Sequence, residues 1–325
     1  QIKQLTADGS NTMINGTFDW VYEEEFECRD GFRWSPDSKS IAYWQLDASG
    51  IGVFYMINNT DSVYSKIVPV QYPKAGEKNS ACRVGVVSVE GGTTTWMNVP
   101  GDPRDNYIPR MEWSGTSDAI VMRHLNRLQN EVQIILGDIH TGKVQTILTD
   151  RDSAWVDVWL DFNNLDNEFK VLDGGNGFLF FSERDGWRHV YQVSRDGKKL
   201  TLLTPGNFDV IKVLQANEKE NMLYYVASPD NATQKFLFRV KMDGKGKAER
   251  LTTAREGTHN YQISPNSKWA IHSYSGMESP IAYELVQMPN HKAVRTLEAN
   301  DNLRKKLGSI KKRTAEFFKV DVGNG

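Results

Sequence analysis

Cysteine is scarce in this sequence: only Cys28 and Cys82 occur among 325 residues. They form no Cys-x-x-Cys pair and the six histidines are scattered, so no metal site can be assembled from local ligand spacing. Two unpaired, half-buried thiols are expected. Charge of one sign is also missing. The 39 Lys and Arg and 41 Asp and Glu nearly cancel, to a formal −2. No basic stripe stands out, which argues against nucleic acid as a partner. The most basic stretch, residues 304–313, reads as the solvated face of a helix. Long apolar runs are absent too: the strongest, residues 178–181, is far too short to span a bilayer. No signal-peptide pattern opens the chain. Gln1 falls inside a strand-like phrase, so the sequence reads as a piece of a longer protein. No serine has the two flanking glycines of a G-x-S-x-G elbow. A serine nucleophile of the α/β-hydrolase kind is therefore not expected in these residues, and no cofactor is implied.

What is present is all-β patterning. Short stretches rich in Val, Ile, Tyr, Phe and Trp are cut by Gly, Asp, Asn and Ser-Pro turns, which favours a sandwich or propeller over a parallel α/β sheet. A loose repeat of about 45–50 residues has the length of a four-stranded propeller blade. Units run over 31–99, 107–149, 155–204, 209–253 and 258–297. The phrase Ser35-Pro36-Asp37-Ser38-Lys39 returns as Ser264-Pro265-Asn266-Ser267-Lys268. In both, proline presets φ and the Asx residue supports a tight reversal. Asp196-Gly197-Lys198 reads as a hairpin turn into an outer strand.

The expected fold is thus an all-β propeller of four-stranded blades, with about five blades in this chain. An orphan strand at 2–6 would belong to a preceding blade, and 50–78 reads as an insertion in the first unit. The period turns helical over 297–312 and a strand-like 317–320 follows. We divide the chain into a partial propeller over 1–300 and a linker helix with a first strand over 301–325. Trp34, Trp113, Trp187 and Trp269 recur at blade positions and read as core. His124, His189 and His259 read as structural or surface residues. Asn-x-Thr sequons begin at Asn15, Asn58 and Asn231.

The most informative phrase is Asp19-Trp20-Val21-Tyr22-Glu23-Glu24-Glu25. Three adjacent carboxylates repel one another, and partial burial against Trp20, Tyr22 and Phe26 would raise the cost of their charge. A solvated acidic first turn of a helix explains such a run, with Asp19 as its cap. A site for a cation explains it as well. A protonated amine carries three donors, which two carboxylates can satisfy with charge-assisted hydrogen bonds.

This heptapeptide closely resembles the double-glutamate motif of the dipeptidyl peptidase IV subfamily, within the prolyl oligopeptidase family of serine peptidases. Other phrases agree in order: Asn15-Gly16-Thr17, Trp34-Ser35-Pro36, Ala42-Tyr43, residues 68–76 with Asn79, Arg127-Leu128-Gln129-Asn130, and residues 182–189. The likeness covers nearly the whole chain and includes the distinctive Tyr72-Pro73-Lys74-Ala75-Gly76.

The resemblance implies an eight-bladed propeller that caps an α/β-hydrolase domain, this chain holding the later part of the propeller with earlier blades preceding it, in a protein of bacterial type and periplasmic or secreted. Its Ser, Asp and His triad would lie beyond Gly325, so this piece alone would be inactive. Glu24 and Glu25 would hold the free α-amino group of a peptide substrate, with Glu23 and Tyr22 supporting the helix. Trp159 is the candidate for an aromatic wall beside the substrate, although its neighbours depart from the family pattern. An arginine that orients the substrate would precede Gln1. The implied partners are peptides with a free N-terminus, the chain's own C-terminal hydrolase domain and a second copy in a homodimer. Alternatives are a prolyl tripeptidyl aminopeptidase of the same architecture and a non-catalytic binding platform. A five-bladed glycosidase would need acids from several blades, whereas the acids here cluster in one segment.

Overall fold

The computed structural model describes residues 2–158, 169–253, 255, 257–277, 279–311, 313 and 316–323. They fall into two compact units, one within 1–186 and 190–201, the other within 187–189 and 202–325.

The first sheet is built around one strand. In chain order the elements are β1 (Met13–Asn15), α1 (Trp20–Glu25), β2 (Phe32–Trp34), β3 (Ser40–Asp47), β4 (Val53–Asn58), β5 (Lys66–Gln71), β6 (Ala81–Ser88) and β7 (Thr95–Trp96). β6 lies along the whole of β3, from Ser40 opposite Ser88 to Asp47 opposite Ala81, and β7 adds to β6. The other edge of β3 is shared. β1 faces Gln45, Leu46 and Asp47, and β2 faces Ile41, Ala42 and Tyr43. β1 and β2 are therefore two halves of one edge strand, with residues 16–31 looped out between them at Trp44.

The ladder survives the interruption. The Gly16 amide donates to the Trp44 carbonyl (2.9 Å), and the Trp44 amide donates to the Gly31 carbonyl (3.0 Å). A Cβ on Gly31 would lie 2.5 Å from backbone atoms of both Gly16 and Thr17, so the loop closes this tightly only on glycine. Residues 2–6 join no sheet among the described residues, and Ile2 is fully exposed. The edge of the first sheet is held by Met13–Asn15.

Within the insertion at 50–78, β4 and β5 pair with each other from Val53 opposite Gln71 to Asn58 opposite Lys66. Among the described residues they join no other sheet.

The remaining strands form four-stranded antiparallel sheets of the propeller-blade kind. The second sheet is β8 (Asn106–Trp113), β9 (Ala119–Asn126), β10 (Glu131–Asp138) and β11 (Val144–Arg151). The third is β12 (Phe169–Leu172), β13 (Gly177–Ser182), β14 (His189–Ser194) and β15 (Leu200–Leu202). Next come β16 (Val210–Asn217), β17 (Met222–Ala227), β18 (Phe236–Lys241) and β19 (Glu249–Arg250). The last is β20 (Thr258–Ile263), β21 (Trp269–Gly276), β22 (Ser279–Gln287) and β23 (Lys292–Glu298). Helix α2 (Asp301–Gly308) follows with no buried residue, and 317–320 join no strand among the described residues.

The turn phrases act as read. Ser35 Oγ donates to Asp37 Oδ1 (2.7 Å) and accepts from the amides of Lys39 and Ser40. Ser264 repeats this with Asn266 (2.8 Å) and the Trp269 amide (3.0 Å), and Ser194 repeats it with Asp196 (2.7 Å) and the Lys199 amide (3.0 Å). The residue three places after each serine (Ser38, Ser267 or Gly197) takes the left-handed conformation that closes the turn. These bonds favour the charged form and hold the Asp196 carboxyl down at about 2.

Burial departs from the sequence reading in two respects. Of the four repeated tryptophans only Trp113 is core; Trp34, Trp187 and Trp269 are exposed, and Trp34 and Trp269 stand at strand ends beside the serine turns. The central tryptophan is Trp44, 1% exposed and donating from Nε1 to the Ile108 carbonyl. Both cysteines are buried and form no disulfide, and burial pushes the Cys82 thiol up to about 12.

Candidate functional site

Helix α1 stands on the looped-out segment, and local chemistry fixes it there. Asp19 is its N-cap: in an extended conformation (φ −92°, ψ 178°), its Oδ1 accepts from the Tyr22 amide at 3.1 Å. Tyr22 and Phe26, four residues apart, share a face and enter the core, 2% and 1% exposed. The Tyr22 ring stacks on Phe18 (5.6 Å, 13°), and both Tyr22 and Phe26 meet Tyr107 edge-on. The Tyr22 hydroxyl accepts from the Ile108 amide of β8 at 2.9 Å. Burial, with Cys82 alongside, raises this phenol well above its ordinary range, so it stays neutral.

With the aromatic face turned inward, the glutamates are left outside. Glu24 and Glu25 are exposed and Glu23 is half-buried. The partial burial expected for these acids is thus found only at Glu23, while their aromatic neighbours Tyr22 and Phe26 are buried. Trp20 stays partly exposed and packs on Tyr72, ring centroids 5.0 Å apart.

The three carboxylates have different surroundings. Glu23 Oε2 pairs with Arg29 at 2.9 Å. Glu25 Oε1 accepts from the Gln129 side-chain amide at 2.8 Å. Glu24 has no hydrogen bond or ion pair among the described residues. One member of the triplet is therefore paired with a cation, while the other two have no ion pair among the described residues.

Phrases far apart in the chain gather round this helix. Tyr107 Oη accepts from Asn79 Nδ2 and from Arg127, each at 2.8 Å, and Arg127 also donates to the Glu77 carbonyl at 3.0 Å. Burial raises the Tyr107 phenol, opposed by the Arg127 charge beside it. The β9–β10 turn that carries Arg127 and Gln129 also receives the next segment: the Val156 amide donates to the Gln129 carbonyl at 2.8 Å. That segment leads to Trp159, which lies outside the described residues. Gln129, Tyr107 and Arg127 were given no role in the sequence. Each belongs to a strand or turn with no local sign of its use, and only the Arg127–Asn130 phrase marked two of them.

Among the described residues no group of three or more His, Cys, Asp or Glu is placed to hold a metal ion. No helix there is long and apolar enough to cross a membrane.

The sheets define a protein of the β-propeller class with an acidic helix looped out of an edge strand. Residues 1–281 match the family described as the dipeptidyl peptidase IV (DPP IV) N-terminal region, and the chain belongs to that family. It is 25% identical over 333 residues to dipeptidyl peptidase 4 of Trichophyton rubrum, covering 99% of this chain and 42% of that one. The crystal structure of Porphyromonas gingivalis dipeptidyl peptidase 4 superposes with a TM-score of 0.86 at 30% identity, over 97% of this chain and 44% of that one. A putative dipeptidyl aminopeptidase IV from Bacteroides ovatus shares the fold, with a TM-score of 0.76 at 21% identity over 90% of this chain and 43% of that one. The chain thus spans less than half the length of the relatives it matches.

Proposed function

We propose that this chain is the propeller part of a serine exopeptidase that removes N-terminal dipeptides, Xaa-Pro or Xaa-Ala, from peptides. Glu24 and Glu25 hold the substrate's protonated α-amino group, and the propeller gates access to the scissile bond. The observation that carries this reading is the division of labour in the triplet: Arg29 occupies Glu23, while Glu24 and Glu25 are exposed with no cation paired to them among the described residues. These two are the acids that the family motif assigns to the amine. Held in place, they form a ruler. An extended dipeptide spans roughly 7 Å, so an anchored amine presents the second peptide bond to a nucleophile at a fixed distance. That nucleophile, with its Asp and His, belongs to an α/β-hydrolase domain following these residues in the full-length protein. The same reading places the protein in the periplasm or outside the cell.

A homodimer is part of the proposal. β4 and β5 expose apolar side chains on both faces, Tyr55 and Ile57 being 65% and 67% accessible, and this hairpin is where a second copy would dock.

The test uses the full-length protein with Gly-Pro and Ala-Ala-Pro reporters, alone and with Glu24→Gln, Glu25→Gln and Glu23→Gln. Dipeptide release that falls sharply with either of the first two and little with the third supports the reading. Cleavage of the tripeptide alone would mean a ruler one residue longer. Activity indifferent to all three substitutions would remove the glutamates from the site.

A further inference from the structure

We infer that Gln129 is a positioning residue for the amine anchor, its side-chain amide orienting the Glu25 carboxylate without neutralising it; this rests on the amine-anchoring function proposed above. The bond joins residues 104 apart in sequence at 2.8 Å. It is the counterpart of the Glu23–Arg29 contact two residues earlier on the same helix, with a neutral donor in place of a cation. The difference matters chemically. A guanidinium on Glu25 would cancel the charge that attracts an ammonium group. An amide takes one lone pair of one oxygen and leaves the rest of the carboxylate, still anionic, for the ligand.

The backbone at Gln129 indicates that its side chain serves this purpose and not the turn. Its φ is +54°, a left-handed conformation in which glycine or asparagine sits more easily than a long side chain. The turn is closed by other groups. Asn126 Oδ1 accepts from the amides of Asn130 and Glu131, each at 3.0 Å, and the Gln129 amide donates to the Asn126 carbonyl at 2.9 Å. None of these bonds uses the glutamine side chain. Meanwhile the Gln129 carbonyl receives the Val156 amide at 2.8 Å. One residue therefore ties helix α1 to the segment at Val156.

The experiment is steady-state kinetics of the full-length protein on a free-amine Gly-Pro reporter, with melting temperatures measured in parallel. Gln129→Leu and Gln129→Lys are made in the parent and in a Glu25→Gln background. Gln129→Leu should raise KM about tenfold with kcat nearly unchanged, the scale of one hydrogen bond to a charged group. Gln129→Lys should raise KM further, because its ammonium competes for Glu25, while the melting temperature holds or rises. In the Glu25→Gln background both substitutions should add less than about twofold, since coupled residues do not act additively. The role of Gln129 is overturned if KM is unchanged by both substitutions, if the losses multiply fully in the Glu25→Gln background, or if KM merely follows the melting temperature. If Glu25→Gln itself leaves KM unchanged, the amine-anchoring reading fails first and the role of Gln129 falls with it.

Discussion

Gly16 and Gly31 meet backbone to backbone across Trp44, and the helix carrying the three glutamates exists as a loop because they do. The Gly16 amide and the Gly31 carbonyl are both bonded to Trp44, at 2.9 Å and 3.0 Å. A Cβ on Gly31 would meet the Gly16 and Thr17 backbone at 2.5 Å, which no rotamer change can relieve. Gly31→Ala should therefore destabilise the protein by about 1–3 kcal/mol, the usual range for overpacking. It should also raise KM for free-amine substrates, since the neck that positions α1 is forced open. Thermal melts and kinetics on the same variant check both effects.

The anchoring of α1 to β8 supplies a second prediction. Tyr22→Phe keeps the stacked ring but leaves the buried Ile108 amide without its acceptor, at a cost of about 1–3 kcal/mol. Tyr22→Ala removes the ring as well and should cost about 3–5 kcal/mol, as large-to-small aromatic replacements do. Denaturant unfolding of the two variants separates the contributions.

How much of this was legible in the sequence depends on the range of the interactions. The blade repeat was readable because Ser35, Ser194 and Ser264 close their turns with groups only a few residues away. The hairpin at 50–78 was readable as an interruption of that rhythm. The acidic helix was readable because its cap and its buried face lie within eight residues, 19–26. The split edge strand was not. β1 and β2 have three residues each, and their continuity exists only through their shared partner β3. Residues 2–6 and 317–320 join no ladder among the described residues, because strand-like composition forms a strand only beside a neighbouring one. Gln129 was the least legible, since its contact with Glu25 depends on the fold bringing a turn tip to a helix.

In the second unit, acid should be destabilising. His259 and His272 are buried and stacked, with Nδ1 of the first 2.9 Å from Nε2 of the second, and His291 Nε2 lies 2.8 Å from the Tyr261 hydroxyl. Glu284 flanks His272 at 3.5 Å, while Arg250 and Arg255 add positive charge nearby. Burial first, then neighbouring positive charge, lowers His259 to about 4 and His272 to about 3. In the folded state these rings resist protonation that the unfolded chain accepts near 6.5. Stability is thus fully present above about pH 6.5 and is lost as pH falls from there towards 4 and 3, by up to about 1.4 kcal/mol per pH unit for each histidine. Melting temperatures between pH 7.5 and 4 should fall accordingly, and His272→Gln should flatten the decline.

The exposed hairpin gives a prediction about assembly. Tyr55→Glu with Ile57→Glu places two charges on one face of β4, where both residues are already solvated in the single chain. Light scattering should show a monomer with an unchanged melting temperature. A dimer that survives both charges would locate the interface elsewhere.

The central claim is that two carboxylates of α1 read a free substrate amine, and blocking that amine tests it most directly. The measurement is kcat/KM of the full-length protein for a Gly-Pro reporter and for its N-acetylated form. Acetylation should lower kcat/KM by about thirtyfold or more, because removing one partner of a hydrogen-bonded charge pair that closes over the substrate costs about 2–5 kcal/mol. Equal cleavage of the two reporters would contradict the account.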